Sequence, residues 1–121
     1  MRPEERDSGY LWNLMEAGRR IQEFTAAVTF NEYVLHALLP SAVERQFEKM
    51  GEAARKVSTS FRTEHPEIPW KRIVGLRNIL THRYYAVDNA QIWTIIHDEL
   101  PPVLDVVGRL LPPLPPAIDE E

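Results

Sequence analysis

Tyr10-Leu-Trp-Asn-Leu-Met-Glu-Ala-Gly-Arg-Arg-Ile-Gln-Glu-Phe-Thr-Ala-Ala-Val28 is the stretch that decides the fold. Its apolar residues Tyr10, Leu14, Ala17, Ile21, Phe24 and Val28 recur at steps of four and three. Asn13, Glu16, Arg19, Arg20 and Glu23 fill the other side. This rhythm predicts an amphipathic helix with one core-facing stripe, capped by Asp7 or Ser8.

Downstream the same rhythm persists. Thr29-Phe30-Asn31-Glu32 has capping-box spacing and predicts a short helical entry over 32–39. Pro40 then marks a kink or a restart. Val43, Phe47, Met50, Ala54, Val57 and Phe61 predict a helix over 41–60. Two prolines interrupt at Pro66 and Pro69, and Pro69 is placed to open a helix over about 70–82, with Ile73, Leu76 and Leu80 inward. Asp88 reads as the cap of a last stretch in which Ile92, Ile96, Val103, Val107 and Leu110 line up, broken or kinked at Pro101-Pro102. No window alternates as a strand would. The expectation is an all-α, up-and-down antiparallel bundle of four to five helices over residues 1–111, with a Pro-rich, flexible tail at 112–121.

With 121 residues, 44% of them apolar and 26% charged, the chain suits one domain and not a disordered one. It has no cysteine, which excludes disulfides, thiol catalysis and thiolate metal sites and fits a cytoplasmic setting. No apolar run approaches the roughly 20 residues that span a bilayer, and the polar N-terminus does not read as a secretory signal. No membrane role is expected. The formal charge of −4 disfavours general nucleic-acid binding but leaves room for a local basic patch.

Residues 70–87 hold that patch. They carry Lys71, Arg72, Arg77, His82 and Arg83 without one Asp or Glu. A solvated basic face is the plain reading of such a helix. The mixture of Arg77, Asn78, His82 and Tyr84 within eight residues says more, since it offers a fixed cation, an amide, an imidazole and a phenol. At about 100° per residue, Arg77 and His82 lie roughly 140° apart, whereas Asn78 and His82 share a face. For Arg77 and His82 to meet one ligand, the helix must end near His82, or a second copy must complete the site by two-fold symmetry.

The chemistry suited to this set is metal-independent RNA cleavage. A ribose 2′-OH attacks the adjacent phosphorus, so a proton acceptor, a proton donor and cationic stabilisation are needed. An imidazole, with an ordinary pKa of about 6.5, can serve either proton role. Arg77 offers a planar fork that matches phosphate oxygens. No paired carboxylates accompany them, and no metal or other cofactor is expected.

Arg77-Asn-Ile-Leu-Thr-His82-Arg-Tyr84 resembles the Arg-(four residues)-His-x-Tyr signature of the HepT-like toxins in the HEPN superfamily. Gly51-Glu52-Ala53-Ala54, the run from Ile68 to Leu76 and the run from Val87 to Trp93 resemble the family's flanking segments, so the likeness covers roughly residues 8–112. The resemblance implies a homodimeric endoribonuclease toxin with its cleft at the dimer interface and Arg77 and His82 as the catalytic pair. Asn78 matches the polar residue after the arginine. It also implies a minimal nucleotidyltransferase antitoxin that attaches AMP to the motif tyrosine, Tyr84; residue chemistry alone leaves Tyr84 and Tyr85 equivalent. Pro40 departs from the family's continuous helical approach.

Lys71 and Arg83 are candidates for holding RNA phosphate. Glu52 could orient Arg77 or Arg72, and Gly51 reads as a point of close helix approach. His36, His65 and His97 share no metal-ligand spacing. Trp12, Trp70 and Trp93 read as packing residues. The alternative function is a noncatalytic helical partner and substrate of a nucleotidyltransferase, which holds phosphate or nucleotide without cleaving RNA.

Overall fold

The computed structural model describes residues 3–82 and 87–111. Arg83, Tyr84, Tyr85 and the Pro-rich tail lie outside the described residues.

Helix α1 (Pro3–Thr25) starts earlier than its expected cap. Asp7 lies inside it, and its buried carboxylate accepts from the Ser58 N–H (2.8 Å) and the Ser58 hydroxyl (2.7 Å). A residue read as a local cap is thus a long-range tie. Leu14, Ala17 and Ile21 are buried as expected, but Phe24 is exposed and Val28 lies beyond the helix. Thr25 takes the inward position instead, with its hydroxyl on the Ile21 carbonyl (2.9 Å).

The Thr29–Glu32 capping box is present and starts α2 (Phe30–Leu35), which is shorter than expected. His36 Nδ1 accepts from the Leu38 and Leu39 N–H groups, both at 3.0 Å, and so caps the start of the next helix. In α3 (Leu39–Lys56) Pro40 sits in the first turn, where its missing N–H costs nothing, so it restarts the helix and does not kink it. The expected run to residue 60 does not hold. Val57 is extended, and Ser58 accepts from the Phe61 N–H to cap α4 (Thr59–Glu64). α5 (Trp70–His82) follows Pro69, whose carbonyl accepts its first helical bond from Ile73.

Asp88 caps α6 (Asn89–Thr94), as expected. Pro101-Pro102 does not interrupt the last helical stretch. A π-helical turn over Ile95–Glu99 leads directly into α7 (Leu100–Leu110), with the prolines in its first turn. The Leu100 N–H reaches back five residues to the Ile95 carbonyl, and this wider turn accommodates two residues that lack N–H donors.

Pairwise contacts fix the directions. Asp7 meets Ser58, Gly51 faces Arg77, Thr81 reaches Glu48, Gly18 abuts Leu104 and Gly108 faces Met15. Along each seam the paired numbers run in opposite directions, 51 with 77 and 48 with 81, 18 with 104 and 15 with 108, so α5 packs antiparallel to α3 and α7 antiparallel to α1. Gly18 permits the α1–α7 crossing, since a methyl there would fall 2.5 Å from Leu104 Cδ2. The core joins Leu14 and Ile21 to Val43, Met50, Ile96, Leu104 and Val107. The described residues contain no strand, which makes the chain all-α, in a HEPN-like arrangement.

Candidate active site

Gly51 sets the geometry. A Cβ at this buried position would overlap Arg77 Cβ and stand 3.0 Å from the Ile73 carbonyl oxygen, so α3 and α5 touch backbone to side chain here. This closeness brings the next residue, Glu52, to Arg77, with Oε1 3.2 Å from Nη2. Arg77 Nη1 in turn donates to Asn78 Oδ1 at 3.0 Å. Of the two arginines that Glu52 was open to, it touches Arg77.

Two further cations crowd Glu52. Its Oε2 accepts from Arg55 at 2.6 Å and lies 3.7 Å from Lys56 Nζ. The Arg55 hydrogen bond, against a desolvation cost and with added attraction from Arg55, Arg77 and Lys56, holds the Glu52 carboxyl below the usual carboxylate range. It is thus an ionised anchor for cations and a weak base.

Arg72 goes elsewhere. Its guanidinium makes two 2.9 Å hydrogen bonds to the Glu99 carboxylate in the π turn. These bonds hold Glu99 below the usual carboxylate range and raise Arg72. Arg72 lines an apolar hollow of about 390 Å³ with Met50, Ile73, Leu76 and Val103, which neither Arg77 nor His82 enters.

His82 is exposed on the last described turn of α5 and has no hydrogen-bond or ion-pair partner among the described residues. Its neighbours secure the turn: Leu80 is buried, and the Thr81 hydroxyl donates to Glu48 Oε2 at 3.2 Å. Because α5 is helical through His82, Arg77 and His82 leave the helix on different sides, as their spacing implies. Asn78 bridges the two faces, since it holds Arg77 while standing one turn before His82. Lys71 is exposed, and helical spacing puts it on the Asn78 side.

The sequence pattern does not reveal the Thr81–Glu48 tie, because a hydroxyl on a solvent-facing position carries no signal of its partner. Among the described residues no group of three His, Asp or Glu side chains is placed to hold a metal ion, and no helix is long and apolar enough to cross a membrane.

Chemically, the arrangement presents a guanidinium that donates one hydrogen bond, to Asn78, lies in ion-pair range of Glu52 and has no other hydrogen-bond or ion-pair partner among the described residues, so most of its five N–H groups can meet an anion. An exposed imidazole stands five residues on, on another side of the same helix.

Comparison with known proteins gives this arrangement a context. The family model described as "Ribonuclease HepT-like" matches residues 14–110. "Putative RNase MJ1380" of Methanocaldococcus jannaschii is 36% identical over 94 residues, which cover 78% of this chain and 86% of that protein. "Probable ribonuclease HepT" of Thermococcus cleftensis is 34% identical over 92 residues, covering 76% and 84% respectively. "Putative RNase TTE0752" of Caldanaerobacter subterraneus subsp. tengcongensis is 31% identical over 102 residues, covering 84% and 91%. No solved structure gives a significant match. The matched span runs from the middle of α1 to the last residue of α7 and takes in the Glu52–Arg77–Asn78 set, and the chain belongs to the HepT-like ribonuclease family.

Proposed function

We propose that this protein is a metal-independent endoribonuclease toxin, with Arg77 and His82 as its catalytic residues. The observation that carries this reading is the Glu52–Arg77–Asn78 relay, which holds a guanidinium fork five residues before an exposed imidazole on the same helix. In the reaction, the 2′-oxygen of a ribose forms a bond to the neighbouring phosphorus as its proton passes to a base. The bond from phosphorus to the 5′-oxygen breaks, and an acid protonates that oxygen. The products are a 2′,3′-cyclic phosphate and a 5′-hydroxyl. Arg77 stabilises the charge on the phosphorane oxygens. One imidazole cannot accept and donate at the same instant, so the second His82 comes from a two-fold partner. Lys71 and Arg83 hold flanking phosphates.

Regulation uses the same geometry. In this reading the Tyr84 phenol attacks the α-phosphorus of ATP on a minimal nucleotidyltransferase antitoxin, and pyrophosphate leaves. The attached phosphate then competes with RNA for Arg77, Arg83 and His82.

The test is incubation of the purified protein with RNA in excess EDTA. Cleavage to cyclic-phosphate ends is expected, with a loss of about 10²–10⁴ in rate for Arg77→Ala and His82→Ala and unchanged circular dichroism. Wild-type rates in both variants would overturn the site assignment. A wild-type protein that is inert with and without EDTA would favour the noncatalytic reading. Intact mass after co-expression with the antitoxin tests the switch, and an added AMP that persists in Tyr84→Phe would overturn it.

A further inference from the structure

A polar groove of about 410 Å³ opens along the seam between α1 and α3, lined by Tyr10, Asn13, Arg20, Gln46, Lys49 and Glu52 among others. Glu52 belongs both to this groove and to the Arg77 relay, so the two are continuous. Two residues in it, Gln46 and Glu52, carry a buried Oε1 that accepts no hydrogen bond; that of Glu52 is met by its ion pair with Arg77, whereas Gln46, a residue only 7% exposed, has no partner for its oxygen. An orphaned buried acceptor costs roughly 1–3 kcal/mol and calls for a donor. Along the chain, Gln46 is a polar residue beside the apolar stripe of Val43, Phe47 and Met50.

The charges narrow what that donor belongs to. Arg20 is paired to Glu16 at 3.4 Å, and Lys56 shares Glu52 with Arg55 and Arg77. Lys49 has no ion-pair partner among the described residues. Tyr10 stands at the far end, half-buried, with Lys56 Nζ 6.0 Å from its ring centre. A free cation, a buried acceptor and an aromatic ring thus lie along one groove that leads to the phosphate-binding arginine. Successive nucleotides of one strand offer a complement to each: a phosphate, ring or amino N–H groups on a base edge, and the π face of a further base.

We infer that the α1–α3 groove is a subsite for a nucleotide flanking the cleaved bond of single-stranded RNA, in which Lys49 holds its phosphate and Gln46 accepts from its base. The inference rests on the ribonuclease reading for the strand's direction, but binding tests it independently. Every standard base carries an N–H on its pairing edge, so the subsite fixes position more than sequence.

The experiment measures fluorescence anisotropy of a labelled single-stranded oligoribonucleotide with full-length protein in EDTA, beside cleavage of that oligomer and of a dinucleotide. Lys49→Ala and Gln46→Met are each expected to raise the oligomer Kd and KM about ten-fold, the scale of one hydrogen bond, charge-assisted for Lys49 and neutral for Gln46. The oligomer kcat and all dinucleotide cleavage are expected to stay within about two-fold, since that shorter substrate cannot reach the groove. Unchanged Kd and KM would overturn the subsite while leaving the ribonuclease reading intact. If the wild type cleaves nothing, that reading falls, and the anisotropy still decides the groove. Should Gln46→Met not fold, the exposed Lys49→Ala carries the test alone. Variants that bind RNA normally but change mass by light scattering would make the groove a protein contact and overturn the proposal.

Discussion

At Gly51 a hydrogen atom stands where a methyl would collide with Arg77. Alanine is the better helix former by about 1 kcal/mol, so in an open helix Gly51→Ala would stabilise. Here the Ile73 carbonyl and the Arg77 stem leave no space, and overpacking typically costs about 1–3 kcal/mol. Gly51→Ala is therefore expected to lower the melting temperature and to move Arg77 away from Glu52, with RNA cleavage reduced more than RNA binding. Gly75→Ala is the control, since nothing lies within 4 Å of a Cβ there. Thermal melts and single-turnover cleavage of both variants check this. The sequence made Gly51 legible as a place of close approach, because small residues on a helix mean a near neighbour. It could not say that the neighbour is Arg77, for that depends on the relative rotation of two helices. The same limit left Glu52 poised between Arg77 and Arg72, and only the position of Glu99 decides it.

At the scale of elements, hydrophobic rhythm and capping residues located the main helices, and departures arose where distant groups intervene. Ser58 ends one helix and begins the next because Asp7, fifty-one residues away, grips it. Val103 was expected inward with Ile96, but the π turn advances the phase, so that Leu100 and Leu104 are buried and Val103 only half so. The Arg72–Glu99 bridge braces that turn against α5. The Arg72 hydrogen bond lowers Glu99 in the folded chain, so its stabilisation is present above the ordinary carboxylate pKa, about 4.3, and is lost as pH falls through the folded value. The pair is partly solvated, and a contribution of at most about 1 kcal/mol is expected. Urea unfolding at pH 7 and in the acid range should show Glu99→Gln less stable than wild type at neutrality, with the gap closing on acidification. A gap that widens as pH falls would show that the bridge does not set it.

For the whole molecule, the fold class was plain from periodicity, whereas the site is not contained in one helix face. Arg77 points into the α3–α5 seam and His82 to solvent, so the proposed mechanism brings in a second surface. Ile79, an apolar side chain left 41% exposed two residues after Arg77, is the position at which the proposed dimer is tested. Light scattering at micromolar concentration is expected to give a dimer, and Ile79→Glu a folded monomer that has lost cleavage. Leu35 and Leu38 are more exposed, at 83% and 71%, so Leu35→Glu serves as the contrast and should leave the dimer whole. A stable wild-type monomer would remove the shared cleft from the mechanism.

The π turn bears on which genetic changes the chain can survive. Ile92, Ile96, Leu100 and Leu104 are all buried at intervals of four. On an unbroken α-helix each such interval would turn the side chain about 40° further, or roughly 120° over the three. The wide turn absorbs that drift. A substitution between Ile95 and Glu99 alters one side chain, but losing one codon there would act like a slipped gear. Every later residue would rotate by about 100°, carrying Leu104 away from Gly18 and Val107 out of the core. In this segment the number of residues matters more than which residues they are.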